Sequence, residues 1–247
     1  MKKSLALILA VVMALSLTAC GSSSTPSATP EPEPTATATP TPEPTEEPTP
    51  EPTEEPTPEP TEEPAPALTL GEYDEVAYTY TNDFLGLGIQ LDEEWIVFSQ
   101  EEIAANFSTA IGRLTDENLA EQFESTGSVT VFSAQIQDGL VNFNIGIEDI
   151  GKLYSSFLDE QAYAELGKDS ILRGMEGLGA TDVQCDIIST VFAGAEHTAI
   201  SVRSQIMEYE IYQTAVCIKE GRYMAIISIT SFFEDALDVV QNMFYAL

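Results

Sequence analysis

YEIYQTAVCIKEGRYMAIISI, residues Tyr209 to Ile229, decides how this chain folds. Apolar and β-branched residues crowd both halves, and Lys219-Glu220-Gly221 separates them. Runs of this composition bounded by a glycine-containing turn read as two strands of a hairpin. Neither half alternates cleanly between apolar and polar, so both faces of these strands are expected to be covered. Working backward, Val183–Phe192 and His197–Ile206 have the same texture, and Gly194 lies between them. Four successive strands with short connections predict a meander.

Further out, the pattern becomes mixed. Ser128–Ile136 and Leu140–Ile147 flank Gln137-Asp138-Gly139, and Asp-Gly is a strong hairpin signal. Tyr78–Tyr80 and Gly86–Leu91 read as two short strands broken at Asn82-Asp83. Helical spacing runs through Ile103, Phe107, Ile111 and Leu114, predicting a helix over 101–114. A second helix is expected over 116–125 with Thr115 as its N-cap. The longest candidate, Asp159 to Leu178, places Tyr163, Leu166, Ile171, Met175 and Leu178 on one face, with Gly177 and Gly179 marking its end. Phe233 to Leu247 closes the chain as an expected amphipathic helix through Phe233, Ala236, Val239, Val240 and Phe244. Helices interspersed with antiparallel hairpins predict an α+β fold, a layered sandwich of an antiparallel β-sheet packed by helices.

YTNDFLGLGIQLDEEW (Tyr80 to Trp95), EGRYMAIISI (Glu220 to Ile229) and this order of elements resemble the PsbP-like/DcrB-like domain. The resemblance spans roughly residues 78 to 247. It implies an antiparallel sheet packed by helices and an adaptor or binding role without a shared active site, and the family includes many small bacterial lipoproteins. Where that family tends to carry a proline three residues before the tryptophan, this chain has Asp92.

The first 67 residues differ in kind. Lys2 and Lys3 precede an apolar run, Leu5 to Leu17, which is too short for the ~20 residues of a membrane-spanning helix. It fits an export signal. Leu17-Thr18-Ala19-Cys20 followed by Gly21 resembles the lipobox of bacterial lipoproteins. By that resemblance residues 1–19 are removed as a signal peptide and Cys20 receives a diacylglycerol, with a further acyl chain such as palmitate on the new amino end. Two or more chains hold a protein at a membrane, whereas one does so only marginally. The expected location is the extracytoplasmic face of a bacterial cell membrane.

All 15 prolines lie between Pro26 and Pro66. From Pro44 a unit repeats as PTEEPTPE, PTEEPTPE and PTEEPAPA. Residues 20–67 hold too few apolar side chains to offset the entropy of ordering, so a disordered low-complexity linker biased toward polyproline II is expected. At ~3.1 Å per residue the full reach of residues 21–66 is ~140 Å. That suits a spacer across an envelope layer.

Residues 68–247 have the length of one domain and contain no proline. Their 7 Lys/Arg against 30 Asp/Glu give a formal balance of −23, which argues against nucleic acid and anionic lipid heads as partners and permits cationic ones. His197 is the sole histidine, beside a turn, and reads as a surface residue rather than half of a nucleophile–base pair. Asp92-Glu93-Glu94, Glu101-Glu102 and Glu234-Asp235 read as solvated acids, although glycoside hydrolysis by two carboxylates is the alternative chemistry. No metal-ligand spacing, phosphate loop or dinucleotide fingerprint occurs, so no cofactor is expected. Trp95, the sole tryptophan, is the weak candidate for lining a ligand groove; its plainer role is to plug an end of the core. Cys185 and Cys217 fall on the first and third strands of the meander, too far apart for the ~7 Å between Cα atoms that a disulfide allows. The expected function is a non-catalytic binding or adaptor module of the envelope. It is held to the membrane through Cys20 and recognises an envelope protein or a small ligand.

Overall fold

A computed structural model describes residues 67–106 and 114–247. The meander forms in sequence order: β7 (Thr181–Phe192), β8 (Ala195–Ile206), β9 (Tyr209–Glu220) and β10 (Tyr223–Phe232), each antiparallel to the next. At its far side β10 pairs with β6 (Val141–Asp149), then β5 (Ser128–Ile136) and β4 (Trp95–Val97) follow. The result is a seven-stranded sheet in the order β4-β5-β6-β10-β9-β8-β7. A second sheet has the order β1-β2-β3-β11, from Glu72–Asp74, Thr79–Asn82, Leu87–Gln90 and Phe244–Ala246.

Burial explains the layering. Along β10, Ala225, Ile227 and Ile229 join the largest apolar cluster together with Phe143, Ile145 and Ile147 of β6. Tyr80, Leu87 and Ile89 of the small sheet close over them, as do Leu119 and Phe123 of α2 (Leu119–Thr126). On the opposite face, Met224 and Ile226 pack with Ile200, Val202 and Cys217 beneath α4 (Glu160–Gly177). Asp159 caps α4, its Oδ1 accepting from the Ala162 N–H at 2.8 Å. Two short helices, α1 (Gln100–Asn106) and α3 (Gly151–Tyr154), complete that side of the chain order, and α5 is Leu237–Gln241.

The fold class is therefore corrected. Eleven strands in two antiparallel sheets dominate the described residues, in place of one sheet packed by four substantial helices. The largest departure is the C-terminal stretch. Of its expected apolar face, Phe233 and Val239 point to solvent, 54% and 64% exposed. Phe233 has φ +76°, which interrupts any helix at its first turn. After only five helical residues the chain turns extended, and Phe244 pairs with Ile89 of β3. Phe244 is driven there by its contacts with Phe192 and Phe143, ring centroids 4.5 and 5.5 Å away. Burial of a large aromatic outweighs the few tenths of a kcal/mol by which helical propensities differ.

Smaller differences have local causes. The strands Glu72–Asp74 and Trp95–Val97 have only three residues each, too few to show a period. The helix after Thr115 starts later, at Leu119, because Thr115 and Asn118 bond each other in a turn: Thr115 N–H to Asn118 Oδ1 at 2.9 Å and Asn118 N–H to the Thr115 carbonyl at 3.1 Å. In α4, Leu166 is 70% exposed while Ala164 and Gly167 are buried, so small residues bring the helix close to the sheet. Of the helix expected over 101–114, Phe107 and Ile111 lie outside the described residues; α1 accounts for its first turns and buries Ile103.

Candidate functional site

The centre of the large sheet is polar where it should be oily. On β6, Asn142 and Asn144 alternate with Phe143 and Ile145, and therefore face away from the main core. Register extends this across the sheet. Asn144 lies opposite Ser133 of β5 and Ser228 of β10. Asn142 lies opposite Thr230 of β10, which is opposite Gln213 of β9. Thr130 stands on the same face, opposite Gly146. These two neighbouring rows contain amides and hydroxyls only.

They are fully enclosed. Ser133, Asn142, Asn144, Ser228 and Thr230 are each 0% exposed. Yet Thr130 Oγ1, Ser133 Oγ, Asn142 Oδ1, both amide atoms of Asn144 and Ser228 Oγ have no hydrogen-bond partner among the described residues. The bonds that do form are long: Asn142 Nδ2 to the Thr230 carbonyl at 3.4 Å, and Gln213 Nε2 to Thr230 Oγ1 at 3.5 Å. A buried polar group left unsatisfied costs about 1–3 kcal/mol, so six such atoms set this patch apart from the apolar clusters beside it. The patch sits between two apolar clusters of the same face. One lies beneath α4 and the other is Ile206, Ile211 and Phe232. α1 packs against β5, where Gln100 Nε2 donates to the Val131 carbonyl at 3.0 Å while Gln100 Oε1 has no partner among the described residues.

Two glutamates frame α4 on this face. Glu160 accepts from the backbone N–H of Thr198 at 3.0 Å and of Lys219 at 3.1 Å, and its Oε1 lies 2.9 Å from His197 Nδ1. The β8–β9 ladder ends at Thr198 opposite Cys217, so this carboxylate takes up strand donors just where the ladder stops. Burial alone would raise the Glu160 carboxyl, but the His197 contact and the two backbone donors outweigh it and hold the group below its ordinary value. Glu148, on the same face of β6, shows the reverse: burial raises it, and the hydroxyl of Tyr163 bonds its Oε2.

The residues singled out from sequence scatter over the fold. Cys20 lies outside the described residues. Trp95 is half-buried against the main core, its ring 5.2 Å from Phe143 and nearly edge-on. That is the core-plug arrangement, although its indole N–H meets no acceptor among the described residues. His197 is not a free surface residue; its side chain is 15% exposed and paired with Glu160. The acidic pairs serve the backbone. Asp92 Oδ1 accepts the Glu94 N–H at 2.9 Å. Glu102 and Ser99 form a reciprocal capping box at the start of α1. Asp235 Oδ1 accepts the Leu237 N–H at 2.9 Å. Cys185 and Cys217 are unbridged, opposite Val202 and Thr198 of the intervening strand.

One open cleft of about 280 Å3 lies between α2 and the β9–β10 turn, lined by Leu68, Leu119, Phe123, Asp149, Arg222 and Tyr223. Arg222 Nη2 donates to Asp149 Oδ2 at 2.6 Å, and its guanidinium lies 5.0 Å from the Tyr223 ring centroid. Internal pairing occupies one edge of the cation this cleft would offer, while Arg222 Nε has no partner among the described residues. The polar rows are the larger group of buried atoms that packing does not explain.

No family model matches the chain, so the resemblance to PsbP-like/DcrB-like domains stands on the quoted residues alone. No curated protein matches it either. Among solved structures it is similar to LpqN, described as involved in cell envelope biogenesis of Mycobacterium tuberculosis. The two share 7% identity and a TM-score of 0.34, over 64% of this chain and 82% of that one. No described helix is long and apolar enough to cross a membrane.

Proposed function

We propose that this chain is a bacterial lipoprotein whose β-rich domain is a non-catalytic binding module at the extracytoplasmic membrane surface. Residues 1–19 direct export and Cys20 carries the lipid. Residues 20–67 hold the domain away from the bilayer. The signal, the Leu17-Thr18-Ala19-Cys20 motif and the proline-rich repeats support the anchored half of this reading. The observation that carries the binding half is the polar centre of the seven-stranded sheet. A domain built only as a mechanical head would gain stability from valine and isoleucine there. Polar groups retained in a buried sheet centre support a role beyond packing, and recognition is the role we assign to the domain.

The two halves are tested separately. In a cell-envelope preparation, Cys20→Ala should shift the protein from the membrane fraction to an unprocessed or released form lacking lipid label. A variant that stays membrane-bound, processed and labelled would sink the anchor. For the binding half, tagged full-length protein in detergent should retain a specific envelope component that untagged protein displaces; retention of nothing displaceable counts against a binding module.

A further inference from the structure

The outer edge of a sheet is a row of unpaired backbone groups. Among the described residues three of the four sheet edges, β1, β4 and β11, are kept to three residues each. The fourth, β7, runs for 12 residues, Thr181–Phe192. It holds none of the lysines or prolines that blunt an edge. Its protections are Asp186 and a bulge between Thr181 and Gln184, where Asp182 has φ +53°. We infer that β7 pairs antiparallel with β7 of a second copy of this chain, joining two seven-stranded sheets into one. Self-pairing goes beyond the binding-module reading and does not depend on it.

The hairpin turn fixes which groups are free. Ala193 and Gly194, at φ +48° and +83°, form the two-residue turn in which Phe192 and Ala195 exchange both backbone bonds. Pairing then alternates without interruption back to Gln184 opposite Arg203. Cys185, Ile187, Ser189 and Val191 therefore turn N–H and C=O away from β8, and these groups meet no partner among the described residues. Such an alternating row fits another strand, and this row complements itself. With Ile188 on a two-fold axis, Cys185 falls opposite Val191 and Ile187 opposite Ser189, each pair occurring twice. Four residues with two groups each then make eight bonds, and this register leaves no outward group over. Asp186 falls opposite Thr190 and Asp182 lies beyond the paired stretch, so no acids oppose each other. A strand from another protein would require no such self-complementarity. Neighbouring elements leave room. α4 packs over β7, β8 and β9, so its two copies stand three strand spacings apart, ~14 Å, beyond the roughly 8–10 Å of packed helices. α5 reaches the strand where Thr190 Oγ1 bonds Gln241, and the two-fold sets the other Thr190 four residues away, ~13 Å.

The test uses the full-length chain with Cys20→Ala, free of detergent, in sedimentation velocity. Its mass should rise from monomer toward dimer over roughly 10 to 500 μM, as for a small and weak interface. Added salt should strengthen the pairing, because the acidic domains repel each other. Ser189→Pro removes one outward N–H and leaves the β8 ladder intact, so it should weaken dimerisation at least about tenfold while unfolding near the parent temperature. Val191→Cys reads the register independently, should the proline variant fail to fold. Under mild oxidation it should form a disulfide with native Cys185 of the second copy, giving a covalent dimer that an added Cys185→Ser abolishes. Within one chain the two positions are six residues apart on β7, ~20 Å, and cannot bridge. A parent chain that stays monomeric through this range overturns the inference. So does a dimer that Ser189→Pro leaves as tight, or one in which Val191→Cys and Cys185 stay unlinked. If the monomer instead retains an envelope component that Ser189→Pro releases, the edge belongs to a strand of another protein; the self-pairing falls and the binding module stands.

Discussion

Single residues carry opposite electrostatic signs on one face of this sheet. Glu160 is held below its ordinary value of 4.5 by His197 and two backbone donors acting against burial. Its contribution to stability is then complete above 4.5 and disappears as pH falls through the lower folded value. Glu160→Gln should cost about 2 kcal/mol at neutral pH, the worth of hydrogen bonds to a charged group, and progressively less in acid. Glu148 is raised by burial from the same 4.5, so its contribution is complete below that value and is lost as pH rises through the folded one. Glu148→Gln keeps an acceptor for the Tyr163 hydroxyl, and should therefore gain on wild type between pH 4 and pH 7. Denaturant melts of the two variants across that range decide the point, since profiles of the same sign would contradict the geometry. His197→Gln retains a donor for Glu160 and should lose less than about 1 kcal/mol.

Elements with a long period were legible in the sequence, and elements fixed by distant partners were not. The four meander strands and the 128–149 hairpin could be read from composition and Asp138-Gly139, because each pairs with a neighbour a few residues away. The strand at Phe244–Ala246 has no local signature; it exists because Ile89, over 150 residues earlier, offers an edge and Phe192 a contact. The polar rows were half visible as Asn142-x-Asn144 and Ser228-x-Thr230, which have the period of one strand face. Their alignment needed the β6–β10 pairing, which no local rule supplies. The sequential strand order has one clean chemical consequence. Cys185 faces Val202 and Cys217 faces Thr198, so β8 lies between them and four residues separate their levels along it, ~13 Å. Thiol titration of the denatured, unreduced domain should find two free thiols, and burial that raises the Cys185 thiol should make it slow to react in the folded protein. Zero thiols in a monomer would require β7 and β9 to be neighbours.

At the scale of the whole chain, the tract before residue 68 and the domain after it answer to different physics. The domain's stability comes from apolar clusters built from Leu68 onward. Residues 20–67 of the tract have 11 glutamates and no basic residue, and their prolines favour an extended chain without internal hydrogen bonds. Length and stability should therefore separate. Deleting two eight-residue units, Pro44 to Glu59, removes ~50 Å of the ~140 Å reach at ~3.1 Å per residue. The unfolding temperature should stay unchanged, because no apolar cluster loses a member. Small-angle scattering on Cys20→Ala protein, free of detergent, should show the maximum dimension shrinking by some tens of Å on the deletion. Added salt should shrink the parent chain as well, since about 0.1 M salt screens like charges beyond ~10 Å and relieves the self-repulsion of the glutamates. A deletion that lowers the unfolding temperature would mean the repeats pack on the domain. A maximum dimension indifferent to both deletion and salt would mean that the tract is collapsed, and a spacer role would fall with it.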